Sequence, residues 1–154
     1  MYVTALEVGV LHALRADAVA HVHQRSRSFT WAPNPSAPDD PLLQREIGEI
    51  AAAAYAGEAT VLAAADALAA AYEADVAGTD PDLALAHEAS LQAANAKVVV
   101  DALAQKAASQ IFDVGGASVV RAAHLLDRHW RNIRTLASHN PTSYKAQAIG
   151  AYLT

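Results

Sequence analysis

The sequence predicts an all-α fold, an up-and-down bundle of four main helices with a short terminal helix, on three observations. Its 154 residues suit one domain with a single core. Hydrophobic residues make up 53% but aromatics only 6%, so much of the apolar content is alanine, the side chain of closely packed helices rather than of sheets. Asp40-Pro41, Asp80-Pro81 and Asn140-Pro141 each set a capping side chain immediately before a proline. Asp or Asn accepts from the free first-turn amides, and proline at the first helical position loses no hydrogen bond.

The first helix is expected from about Tyr2 to Ser26, with Val3, Leu6, Val10 and Leu14 on one face. It starts with no capping residue or polar lead-in, which reads as a cut. Pro33, Pro35 and Pro38 make the segment from Phe29 to Asp40 an irregular connection. The second helix carries Leu43, Ile47, Ile50, Ala54, Gly57, Val61, Ala65, Leu68 and Tyr72 at sustained three-and-four spacing, and Gly78 ends it. Gly57 on that stripe predicts close approach of another helix rather than a kink. The third helix should run from Pro81 to about Val114, where Gly115-Gly116 stops it. Around Val98, Val99, Val100 and Leu103 it is apolar on nearly every side, so several neighbours must bury it. A fourth helix then continues to about Ser138, and the terminal helix follows Asn140-Pro141.

Composition also excludes several classes. With 18% charged residues the chain is too apolar for disorder, and no run approaches the roughly 18 uncharged apolar residues of a membrane span. A folded, soluble protein without a membrane partner is expected. There is no cysteine, hence no disulfide, thiol nucleophile or thiolate metal site. No basic start leads into an apolar segment, so the cytoplasm is the default location. The net charge of -5 conceals an asymmetry: residues 1–114 hold 15 of the 16 acids and six of the 11 basic groups. Beyond them Arg121, Arg128, Arg131, Arg134 and Lys145 face Asp127 alone. A basic tail favours an anionic ligand or an acidic neighbouring surface, but without aromatics interleaved for stacking it does not indicate nucleic acid.

Seven histidines raise the question of a metal, and the spacing answers against one: no Glu has a His three residues later, and His21 and His23 point apart on a helix. Asp17 and His21, four apart, are expected to pair on the helix surface. No Walker loop, nucleophile elbow or zincin motif is present. Gly115-Gly116-Ala117-Ser118 has two readings, a helix stop or a set of exposed amides able to hold a phosphate. Arg128, Arg131 and Arg134 recur along one helix face, with Trp130 and Ile133 turned elsewhere, and would form a solvated basic ridge. His139 directly precedes a helix start, a place where an imidazole is both held and exposed, and is a candidate acid or base.

Read together, the string from Phe112-Asp113-Val114-Gly115-Gly116-Ala117-Ser118 through Asp127-Arg128-His129-Trp130-Arg131-Asn132 to His139-Asn140-Pro141 and Lys145-Ala146-Gln147-Ala148-Ile149-Gly150 resembles the C-terminal domain of acyl-CoA-dehydrogenase-fold flavoproteins. Arg25-Ser26-Arg27-Ser28-Phe29 and Asp40-Pro41 agree in order. Within the superfamily it is most similar to flavin-dependent monooxygenases of the dibenzothiophene monooxygenase type. The resemblance implies a homo-oligomer, dimer or tetramer, with flavin at the subunit boundary. It also implies that residues 1–154 are one bundle domain of a longer protein, without the N-terminal helical and middle β domains. By the same resemblance Arg27 and Phe29 touch flavin across the interface, Gly115, Gly116, Ala117 and Ser118 line its phosphate or adenine side, and His139 faces the isoalloxazine. The family often has a histidine where this chain has Leu136, and Asp where it has Asn140.

The implied function is the bundle domain of a two-component monooxygenase that takes reduced FMN, rather than FAD, from a separate flavin reductase and oxygenates a small sulfur, nitrogen or aromatic substrate, with His139 managing a proton. Two alternatives are an acyl-CoA dehydrogenase-like domain and a non-catalytic helical oligomerisation module. Dehydrogenation commonly uses a carboxylate base after the Arg-rich helix, and no acid follows Arg134 here. On this reading the isolated chain is inactive.

Overall fold

The structure, a computed structural model, describes residues 1–78 and 82–154, apart from the side chains of Ser118 and Ala122. The chain folds into α1 (Tyr2–Gln24), a 3-10 turn (Ala37–Asp39), α2 (Pro41–Ala77) and α3 (Leu83–Gly115). Two further 3-10 turns (Gly116–Val120 and Ala122–His124) lead to α4 (Asp127–His139) and α5 (Thr142–Leu153). Among the described residues there is no strand, as the alanine-rich composition predicts. Helix α3 packs against each of the other four, and α1 lies along α2, α3 and α4. The core they enclose is built on Leu11, Leu14, Ile50, Ala104, Ala107, Ile111 and Ile133.

Helix α1 turns a different face inward from the one the sequence suggested. Thr4, Glu7, Val8, Leu11, Leu14, Ala18 and Val22 are buried, while Leu6 is exposed. The apolar stripe was read without Glu7, yet that carboxyl enters the core beside two charged groups of α3. Helix α2 opens as expected: Asp40 accepts from the Leu42 amide at 3.0 Å ahead of Pro41, and Gly78 closes it. A methyl group added at Gly57 would stand 3.3 Å from Val8 Cγ2 and 3.5 Å from Leu11 Cδ1, so the glycine does mark close approach of α1. Beyond Ala64 the predicted stripe loses its partners, and Leu68 and Tyr72 are exposed. By length and composition α2 is apolar enough to cross a membrane, which the sequence reading missed because Glu58 and Asp66 interrupt the run. Only 28% of its most apolar 18-residue stretch is buried here.

Asp80-Pro81 lies outside the described residues; α3 begins at Leu83, where the Asp82 carboxylate accepts from the Ala84 and Leu85 amides at 3.0 and 3.1 Å. It ends where expected, with Gly116 at φ +63°, the left-handed region glycine enters without steric cost. The segment after it is not one continuous helix. Two 3-10 turns and Leu125 at φ +51° redirect the chain, and α4 starts only at Asp127. Asn140 is likewise not the cap of α5. Pro141 itself lies at φ -58° and ψ 121°, outside the helical region, so it precedes α5 rather than opening it, and its carbonyl accepts the Tyr144 amide at 3.2 Å.

Candidate functional site

Two regions hold the residues singled out by sequence. The first is the loop after α1. Ser28 points inward, its hydroxyl bonded to Asp40 and its amide to the Pro35 carbonyl at 2.9 Å. Arg27 and Phe29 on either side therefore face outward, Phe29 with 70% of its surface exposed. The Ser28 hydroxyl holds the Asp40 carboxyl below the usual carboxylate range against the opposing effect of burial, and the Leu42 and Leu43 amides add to it. Asp40 thus caps α2 and anchors the loop at once. Arg25 joins the loop to the glycine segment by donating to the Val114 carbonyl at 2.6 Å. Arg27, Phe29, Gly116 and Ala117 accordingly share one exposed end of the bundle. The Ser118 side chain lies outside the described residues.

Both glycines there have local reasons to exist. A Cβ at Gly115 would fall 1.8 Å from Val119 Cγ1, and Gly116 needs its positive φ to end α3. The helix-stop reading is met, and a phosphate-holding role would be additional to it.

The second region is the C-terminal end of α4. His139, its last residue, is exposed and opens on a groove of about 620 Å³ lined with Trp130, Arg131, Arg134, Thr135 and Ser138. Thr135 and Ser138 turn their hydroxyls back onto the Arg131 and Arg134 carbonyls, each at 2.8 Å, so the groove wall is fixed by the helix itself. Arg131 reaches Asp127 at 3.2 Å and Arg134 reaches Gln105 Oε1 at 2.9 Å. The basic ridge is therefore partly tied down, and Arg128 leaves it altogether to bond Asp17 and the Leu125 carbonyl. His129 is buried and meets the same Asp17 at 2.7 Å. The expected Asp17–His21 pair does not form: His21 stacks edge-on against His124, and burial, with the His124 and Arg25 charges, pushes its imidazole down.

Sequence reasoning missed a buried charged cluster beneath this second region. Lys97 and Asp101, one turn apart on α3, are 7% and 2% exposed and bond at 3.0 Å. Glu7 of α1 lies beside them, pushed up to about 8 by burial first and by Asp101 second, with Lys97 pulling the other way. The signal was a Lys and an Asp four apart across a run of valines, charges where the pattern called for apolar residues. Among the described residues no group of three or more His, Asp or Glu is arranged to hold a metal.

The loop meets α3 at Val114 while the His139 end meets it at Lys97 and Asp101. Thirteen residues of helix, about 20 Å at 1.5 Å per residue, separate the two regions. The structure brings Arg27, Phe29, Gly116 and Ala117 to one end and leaves His139 at another.

The pattern that describes the acyl-CoA dehydrogenase C-terminal domain matches residues 1–144. The chain belongs to that family. Among curated relatives of this acyl-CoA dehydrogenase C-terminal domain, dibenzothiophene monooxygenase of Mycolicibacterium goodii is 30% identical over 97% of the chain and 35% of its own length. A probable FMNH2-dependent monooxygenase, SfnC of Pseudomonas putida, is 29% identical over 96% of the chain and 36% of its own. Methanesulfinate monooxygenase MsuC from Pseudomonas fluorescens superimposes with a TM-score of 0.88 at 26% identity, over 97% of this chain and 38% of that one. The complex of TdsC from Paenibacillus sp. A11-2 with FMN and indole gives 0.87 at 26% identity, over 98% and 37%. The acyl-CoA dehydrogenase C-terminal domain described here thus spans about a third of the length of the relatives it matches.

Proposed function

We propose that the chain is the bundle domain of an FMN-dependent monooxygenase acting on a small sulfur compound. The observation that carries the reading is His139 at the rim of a groove lined with Trp130, Arg131 and Arg134, in a chain whose curated relatives are monooxygenases along nearly its whole length. The outward Arg27 and Phe29, a cation and a ring at the end where Gly116 and Ala117 expose backbone, fit a phosphate-bearing aromatic cofactor. Reduced FMN would supply the two electrons by which one oxygen atom of O2 enters the substrate and the other leaves as water. Arg27 would pair with its phosphate, Phe29 would pack on it, and the exposed turn at Gly116 and Ala117 would lie along its polar side.

In this reading His139 takes or returns a proton at an imidazole nitrogen on the substrate side, and Trp130 supplies apolar surface for an uncharged sulfur centre. Because the two regions lie about 20 Å apart, each copy contributes Arg27 and Phe29 to one pocket and His139 to another, so the working unit is a dimer or tetramer. The two thirds of the relatives' length that these residues do not match would supply the rest of the pocket, and a separate flavin reductase in the cytoplasm would supply reduced FMN. The absence of any acid after Arg134 favours oxygenation over proton abstraction by a carboxylate. In a polypeptide carrying the whole flavoprotein, His139→Ala is expected to cut oxidation roughly 10²–10⁴-fold with flavin and assembly retained. An unchanged rate would exclude the imidazole from the reaction.

A further inference from the structure

Helix α4 ends in a way that leaves one carbonyl without its normal partner. In a continuing helix the Ala137 carbonyl would accept the amide of residue 141, but that residue is proline and has none. Lys97 fills the gap: its Nζ donates to the Ala137 carbonyl at 3.4 Å while holding both oxygens of Asp101 at 3.1 and 3.0 Å. On the far side of the proline, the Thr142 hydroxyl donates to Asp101 Oδ2. A cation and an anion of one turn of α3 thus grip the chain on both sides of His139-Asn140-Pro141.

A buried ion pair is a poor way to gain stability, since two charges must be stripped of water and apolar side chains of similar size would do as well. Its distinctive property is direction, because each charge accepts only a partner placed correctly around it. Here the partners are a backbone carbonyl and a hydroxyl that bracket the exposed imidazole. Glu7, raised to about 8 and so mostly neutral near pH 7, lets the cluster stay close to zero net charge.

We propose that Lys97, Asp101 and Thr142 are positioning residues for His139, a latch that replaces the hydrogen bond proline removes and fixes the α4–α5 junction so that the imidazole meets the groove in one orientation. This rests on the reading of His139 as the proton-handling group, but its test needs no turnover. The 154-residue chain labelled with nitrogen-15 is compared with Thr142→Val, which removes the hydroxyl at a half-buried site and keeps the shape, and with Thr142→Ser, which restores it. Thr142→Val should broaden or split the His139 ring signals and speed amide exchange at residues 139, 140, 142 and 143 by about tenfold or more, with exchange in the α1–α2 core unchanged. Thr142→Ser should restore the parent spectrum. Unchanged His139 signals in Thr142→Val, or faster exchange spread evenly through the bundle, would overturn the latch. An inactive latch variant cannot be confused with a failure of the functional reading, because that reading is judged by His139→Ala alone.

Discussion

At the scale of single residues the two tail histidines separate by environment. His129 is 3% exposed and bonded to Asp17, which also holds Arg128, so His129→Ala should lower stability by about 1–3 kcal/mol through the lost hydrogen bond and the buried space it empties. A denaturant titration measures this, and the loss should exceed that of His139→Ala, whose side chain is exposed. Glu7 makes a second prediction. Its carboxyl is held at about 8 against an unfolded value near 4.5, with Asp101 and Lys97 of α3 as the charged groups facing it. The neutral form is favoured on folding, so its contribution is fully present below pH 4.5 and is lost as pH rises through 8. Glu7→Gln should flatten that part of the stability profile, and thermal melts from pH 5 to 9 would show parent and variant diverging if it does. His139 was legible in the sequence because it sits in a contiguous motif. The Glu7–Lys97–Asp101 cluster was not, because it joins positions on two helices that only the fold brings together.

At the scale of elements, chain breakers read well and helix faces read poorly. Asp40-Pro41, Gly78 and Gly116 mark ends of α2 and α3 through local chemistry that needs no neighbour. The face of α1 depended on α3 offering charged partners to Glu7, and the exposed second half of α2 depended on how far its neighbours extend, so neither could be seen in one segment alone. The start of α4 was missed because Leu125 adopts a positive φ that no residue type advertises. Gly115 tests the α3 terminus directly. Gly115→Ala places a methyl group 1.8 Å from Val119 Cγ1 and should cost about 1–3 kcal/mol, measured by chemical denaturation, and adding Val119→Ala should recover part of it. No recovery would mean the strain lies in the backbone rather than against Val119.

At the scale of the whole molecule exposed apolar side chains are spread along the chain, and on the outer half of α2 Leu68, Tyr72 and Val76 recur every fourth residue to form one exposed apolar face. Such a face is expected to be covered by another copy, and light scattering at micromolar concentration should give a mass well above 16.1 kDa; a clean monomer would remove the case for pockets shared between copies. The chain alone, with reduced FMN and oxygen, should show little turnover, since it carries only about a third of its relatives' length. The clamp of Asp17 on Arg128 and His129 has a temporal side as well. It joins groups 111 and 112 residues apart in sequence, whereas α2 and α3 are consecutive and lie against each other over the largest shared surface in the fold. During synthesis the α2–α3 hairpin can therefore assemble as soon as it emerges, while α1, made before it, waits for α4 before its polar edge is satisfied. A chain stalled before Asp127 would hold α1 open at that edge, so the last fifth of these 154 residues decides when that helix is finished.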